Sequence, residues 1–124
     1  MPIVEVEIVL REGEKLKKDL AASLADHIGE IFGSPPGNTW VKLRALPIQN
    51  YAENAQSSAA PIYPVFVSVL KADPMPADEM EVEIKHLTRT IARACNRHEE
   101  NIHIIYLPSG SGRVAFGGKM LPNT

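Results

Sequence analysis

In "IVEVEIVL", Val4, Val6 and Ile8 fall on one side of the chain and Glu5 and Glu7 on the other. That period of two predicts a strand buried on one face, and Gly13 closes it. From Glu14 the period changes. "EKLKKDLAASLADHIGEIFG" places Leu16, Leu20, Leu24, Ile28 and Ile31 at steps of four and three, one apolar stripe of a helix. Lys15, Lys17, Lys18, Asp19 and Asp26 fall largely off that stripe. Gly33 suits the helix end, and Pro35-Pro36 prevents continuation. The alternation returns in "TWVKLRAL", with Val41, Leu43 and Ala45 on one face and Trp40, Lys42 and Arg44 on the other.

The polar, small-residue stretch "PIQNYAENAQSSAA" reads as a connecting loop. Beyond it the same order of elements recurs. "PIYPVFVSVL" is a strand with Val65, Val67 and Val69 in register, opening on Pro61-Ile62 as the first half opens on Pro2-Ile3. "DEMEVEIKHLTRTIARAC" carries Met80, Ile84, Leu87 and Ile91 on one helical face, and Pro74 and Pro76 suit its approach. "NIHIIYL" is a strand, and "PSGSGRVAFGG" gives a turn and a short final strand. The pattern predicts a single domain over 1–124: a first β-α-β repeat at about 2–46, a loop at 47–60 and a second repeat at about 61–124. The expected fold class is α+β, an α/β layer with a four-stranded main sheet and both helices on one face. Both faces of the second-half strands are apolar, so the parity that meets the helices stays open. The other face, holding residues such as Trp40, Phe66 and Ile105, is an association surface that a symmetric oligomer would bury.

Composition narrows the function classes. The chain has 124 residues, 44% hydrophobic and 23% charged, with a net charge of -2. There is no basic excess to neutralise phosphates, so nucleic acid is not an expected partner. No apolar run approaches the roughly 20 residues of a membrane span, and no signal-peptide pattern opens the sequence. One cysteine, Cys95, excludes an internal disulfide framework and fits a reducing compartment, so the expected location is cytoplasmic.

The chemistry starts at "MP". Pro2 has no N–H to donate, a loss that the first residue of a strand tolerates. With Met1 attached, its nitrogen is a tertiary amide and not basic. With Met1 removed, which a small second residue permits, Pro2 is a secondary amine fixed at the head of a strand. A free α-amino group titrates at about 7.7–8.0, and burial or neighbouring cations lower that value. Such a group suits proton transfer next to a carbonyl.

Met-Pro at the start, the doubled β-α-β order and this length resemble the tautomerase superfamily, and the likeness covers nearly the whole chain. "FGSPPGNTWVKL" is similar to the helix end and strand of migration inhibitory factor. "YAENAQSSAAPIYPVFVSVL" is similar to the crossover of the cis-chloroacrylic acid dehalogenase group. "NIHIIYLPSGSGRVAFGG" is similar to the last strand and hairpin of oxalocrotonate tautomerase. The resemblance implies a homotrimer with three sheets forming a central barrel, a small-molecule substrate, no cofactor, and Pro2 as the catalytic base.

It also implies substrate-binding positions. Arginine grips a carboxylate bidentately, and Arg11 lies near the family's substrate-binding arginine; the alternative is a solvated strand-end charge. Lys42 and Arg44 project from one strand face and either meet an anion or pair with Glu5 or Glu7. Trp40 stands where oxalocrotonate tautomerase has its second arginine, and Ser34 where migration inhibitory factor has its active-site lysine. His103 takes the place of an active-site tyrosine, as a hydrogen-bond donor or as a structural strand histidine. Val114 matches an active-site phenylalanine in apolarity but not in size, and Arg113 beside it is a carboxylate contact from a neighbouring subunit.

A dehalogenase or hydratase is less favoured. Where the arginine pair would lie, "LKADPM" offers only Lys71, and the hairpin has no acid, although Glu53 could substitute from another loop. Cys95 and His98 lack a second pair of ligands, so no metal is expected. "GSGRVAFGG" precedes no helix and is not a phosphate loop, and His27, His86 and His98 are expected on solvated helix surfaces. Two readings remain. One is a keto-enol tautomerase or isomerase acting on a small, carboxylated substrate. The other is a non-catalytic trimer that binds a ligand or partner.

Overall fold

Two antiparallel strands form the middle of the molecule, and each carries a valine-rich face. A computed structural model describes residues 2–56 and 61–122; Met1, residues 57–60 of the expected loop, and residues 123 and 124 lie outside the described residues. The main elements are β1 (Ile3–Val9), α1 (Leu20–Phe32), β2 (Trp40–Leu46), β3 (Val65–Leu70), α2 (Ala77–Cys95) and β4 (Ile102–Tyr106). The sheet order is β2-β1-β3-β4, with β1 parallel to β2, β3 parallel to β4, and β1 antiparallel to β3. Each repeat is thus a parallel β-α-β unit, and the two units meet along the β1–β3 seam.

Register settles which parity faces the helices. Val4, Val6 and Ile8 lie opposite Val69, Val67 and Val65, and all six are at most 1% exposed. They pack with Leu24 and Ile28 of α1 and Leu87 and Ile91 of α2. Burying each such side chain stabilises the fold by about 1.5–3 kcal/mol. The opposite parity (Glu5, Glu7, Trp40, Lys42, Arg44, Phe66, His103 and Ile105) forms the other face of the sheet. Trp40 and Ile105 are 43% and 60% exposed there.

Several boundaries differ from the periodicity, each for a local reason. The first helix starts at Leu20, not Glu14, because the Glu14 carboxylate accepts the Arg11 backbone N–H at 2.8 Å and an Arg97 N–H at 2.7 Å. Leu16 still packs against the core from outside the helix. Gly33 ends α1 at φ 64°, with the Ser34 N–H donating to the Gly29 carbonyl at 2.9 Å, a left-handed cap that glycine accepts without a Cβ penalty. β3 starts at Val65, not Pro61, since neither Pro61 nor Pro64 has an N–H for the ladder. Within the expected loop, Ile48–Asn50 is a 3-10 turn. The single final strand is instead a hairpin, β5 (Ala115–Phe116) and β6 (Lys119–Met120). Gly117 and Gly118 turn it at φ 56° and 87°, the doubly positive geometry that favours glycine in two-residue hairpins. Among the described residues no helix is long and apolar enough to cross a membrane.

Candidate functional site

The β1–β3 register builds the site. Ile3 lies opposite Leu70, so one step further out Pro2 stands opposite Lys71. Pro2 is buried, and its carbonyl accepts the Trp40 N–H at 3.0 Å on the β2 side. Side chains alternate along a strand, so Pro2 shares the helix-facing parity of Val4, and Lys71 that of Val69. Between them and the end of α1 lies a cavity of about 360 Å³, walled by Pro2, Phe32, Ser34, Asn38, Lys71 and the turn through Asp73 and Met75. A second hollow of about 430 Å³ shares Lys71 and Met75 and continues to Met80, Tyr106 and Leu107.

Lys71 is tightly held. Its Nζ donates to Glu83 Oε1 at 2.6 Å and reaches Met75 Sδ at 3.4 Å, while lying 4.3 Å from the centre of the Phe32 ring. Glu83 is 9% exposed and receives the Tyr106 hydroxyl on its other oxygen at 2.5 Å. Burial, and then that bond to Glu83, push the Tyr106 phenol well above its usual range. The hairpin region is stitched to the same strand end. Gly110 N–H donates to the Lys71 carbonyl at 2.7 Å, and Ser111 donates to the Ala72 carbonyl through its N–H at 3.0 Å and its hydroxyl at 2.7 Å. Val114 supports this turn, because a Cβ on Gly110 would come within 3.1 Å of Val114 Cγ2.

Of the residues singled out from the sequence, Pro2, Ser34 and Lys71 line the cavity; Ser34 Oγ accepts a bond from the Thr39 hydroxyl at 2.6 Å. Arg11, Lys42, Arg44, His103, Arg113, Trp40 and Val114 do not line it. Arg11 sits beyond the far end of β1, roughly 30 Å of extended chain from Pro2. There it pairs with Glu14 at 3.3 Å, donates to the Asn96 carbonyl at 2.9 Å and lies over Tyr63. Lys42 and Arg44 share Glu5 at 2.6 and 3.6 Å, the ion-pair alternative. That pairing, the Lys42 hydrogen bond foremost, holds the Glu5 carboxyl below its ordinary value.

Trp40 points to the opposite sheet face, donating to the Gly37 carbonyl at 2.9 Å and meeting Phe116 edge-on. His103 meets the Phe66 ring at a tilt, with centroids 5.6 Å apart, and Tyr51 also contacts Phe66; Tyr51 donates to Glu53 at 2.5 Å. Arg113 is exposed and donates to the Ser109 carbonyl at 3.4 Å. Strand parity therefore keeps the Trp40, Lys42, Arg44 and His103 side chains, and the length of β1 keeps Arg11, off the Pro2 cavity within one chain.

Two features escaped sequence reasoning. Glu83 lies on the buried α2 stripe with Leu87 and Ile91, and extending their four-residue step backwards would have found it. Arg97 is the second. Its side chain is 2% exposed and donates to the carbonyls of Val9 (2.9 Å), Tyr63 (2.9 Å), Cys95 (3.0 Å) and Asn96 (3.3 Å), and to both Glu14 oxygens (2.7 and 3.1 Å). No local pattern marks it, because its partners come from four separate segments.

No family model and no curated protein matches the sequence. Solved structures do match. Macrophage migration inhibitory factor from Oncomelania hupensis aligns over 98% of this chain and 82% of its own at 17% identity, with a TM-score of 0.71. Pt0534 inactivated by 2-oxo-3-pentynoate aligns over 96% and 94% at 16% identity, with a TM-score of 0.74. A fused 4-OT, described as a wild-type symmetric trimer, aligns over 96% and 94% at 13% identity, also at 0.74. These neighbours are tautomerase-superfamily proteins. The chain has the tautomerase fold. Within that fold the two β-α-β units follow one another as the sequence pattern predicts, and Pro2 precedes β1.

Proposed function

We propose that this chain is a cofactor-independent tautomerase that moves a proton between oxygen and carbon of a small enol, with the amino-terminal nitrogen of processed Pro2 as the base. The observation carrying this reading is the placement of Pro2, buried at the head of a central strand and on the wall of a cavity opposite Lys71. In this setting burial and the facing cation both disfavour the ammonium form, which poises the amine near neutral pH. The nitrogen takes the enol hydroxyl proton as the carbonyl forms and returns it to the adjacent carbon, so it ends as it began. The wider proposal is a cytoplasmic homotrimer that buries the open sheet face. In it Arg11, Lys42, Arg44, His103 and Arg113, with Trp40 and Val114 as apolar wall, reach a substrate carboxylate only from a neighbouring subunit. A non-catalytic trimeric binding protein is the second reading, favoured by one observation: Arg11, Lys42 and Arg44 are already paired with this chain's own Glu14 and Glu5.

The test compares protein with and without Met1. Processed protein should ketonise phenylenolpyruvate with one basic group governing the acid limb. Pro2→Ala, which keeps a primary amine, should be slower, and the Met1-bearing form inactive yet folded. Equal turnover by the processed and Met1-bearing forms would replace the tautomerase reading with the binding one.

A further inference from the structure

Glu83 is a buried carboxylate outside the reaction just described, yet it is ion-paired with Lys71, the residue opposite the proposed base. We infer that Glu83 and Tyr106 are positioning residues that set how much of the Lys71 charge Pro2 experiences. This rests on the tautomerase reading for its meaning, but not for its test.

The geometry is specific. Lys71 leaves β3 directly opposite Pro2 by register, where opposed residues have Cα atoms about 4.5–5.5 Å apart. Its ammonium is fixed between the Phe32 ring face and Glu83 Oε1. Glu83 is in turn fixed by the Tyr106 hydroxyl on its second oxygen, so neither member of the pair is free to rotate away. Lys71 is 20% and Glu83 9% exposed, and water screens this pair less than it screens a surface pair. The other groups on the cavity wall are Asp73, which receives the Ser111 hydroxyl at 3.2 Å on the rim, and the neutral Ser34 and Asn38. The charge that Pro2 meets from β3, α2 and β4 is therefore the sum of Lys71, Glu83 and the neutral Tyr106 phenol, with Asp73 at the edge.

Removing the Glu83 charge while keeping its shape leaves Lys71 uncompensated, which disfavours a second positive charge on Pro2. Removing Lys71 has the opposite sign. A unit charge gained or lost beside a titrating amine in a partly buried site displaces its midpoint by about one pKa unit.

The experiment is an NMR titration of processed, [15N]proline-labelled protein, reading the Pro2 amine directly. Glu83→Gln should lower the Pro2 midpoint by about one unit, and Lys71→Gln, a change at a less buried site, should raise it. Tyr106→Phe, which keeps both charges, should move it by less than either. An unchanged midpoint in both Glu83→Gln and folded Lys71→Gln overturns the inference whatever the activity. A wild type whose Pro2 shifts as described but that turns over no enol overturns only the tautomerase reading. If Glu83→Gln does not fold, Lys71→Gln alone decides, and a fall or no change there is the refuting result.

Discussion

Replacing Arg97 with methionine should be the most damaging single change away from the cavity. The guanidinium ties the end of β1 (Val9), the segment entering β3 (Tyr63), the end of α2 (Cys95, Asn96) and the Glu14 turn into one junction. Methionine fills similar volume but donates nothing, leaving the Val9, Tyr63 and Cys95 carbonyls without their charged donor and Glu14 with Arg11 in place of two guanidinium partners. Breaking a buried ion pair from one side costs about 3–5 kcal/mol. Because Glu14 retains 23% exposure, water recovers part of its loss, and the lower end, about 3 kcal/mol, is the expected cost. For a chain of this size that corresponds to roughly 12 °C in Tm.

The assay is urea and thermal unfolding at one fixed protein concentration, since assembly would otherwise shift the midpoint. The pH arm has a definite sign. The Arg97 hydrogen bond holds the folded Glu14 carboxyl below its ordinary 4.5. Its stabilisation is thus fully present above that value and is lost as pH falls through the lower folded one. The wild type should therefore lose more stability than Arg97→Met between about pH 5 and pH 3. A loss below about 1 kcal/mol at pH 7, the size of an exposed pair, would show that the junction is not the brace described here.

Other outcomes follow from the same contacts. Arg11→Met, at a 41% exposed side chain, should cost under about 1 kcal/mol in the same unfolding assay; if Arg11 binds substrate across a trimer, turnover of a carboxylated enol should fall about ten- to hundredfold more than that of its uncharged ester. Glu5→Ala should barely change protomer stability but should weaken the proposed trimer at low salt, because Lys42 and Arg44 are left uncompensated on the open face; sedimentation velocity reads this, and an unaltered trimer at 10 mM salt would remove that face from the interface. Burial pushes the Cys95 thiol up to about 11, so at pH 8 it should react with a disulfide reagent only as fast as the fold opens, and rapid stoichiometric labelling of native protein would contradict that.

The sequence carries the fold well because the fold is written in local periods. The alternation at Val4-Val6-Ile8 and the four-residue steps at Leu20-Leu24-Ile28 need nothing but their own neighbours to be read. Even Pro2, as the head of the first strand, is visible on that basis. The rest of its cavity is not. Lys71 becomes its neighbour only through an antiparallel register between strands more than sixty residues apart, and Glu83 only through packing of α2 beneath them. For Lys42 and Arg44 the sequence leaves an anion or a pairing with Glu5 or Glu7 open, and only the register of β1 with β2 sets both beside Glu5. Where an interaction spans segments, as at Arg97, no period announces it.

The seam between β1 and β3 relates the two halves by an approximate half-turn, which exchanges the Pro2 end for the Pro64 end. At the second end Pro64 lies within the chain, and its carbonyl accepts the Val9 N–H at 3.0 Å as an ordinary peptide. A nitrogen inside a peptide bond carries no basic lone pair, so on the proposed reading, with Met1 removed, an acid–base position exists at Pro2 and none at Pro64. The mirror location is instead filled with opposed permanent charges, Arg97, Glu14 and Arg11. The two poles of the doubled scaffold thus differ in their surroundings: the Pro2 end borders a cavity, and the Pro64 end is fastened by paired charges.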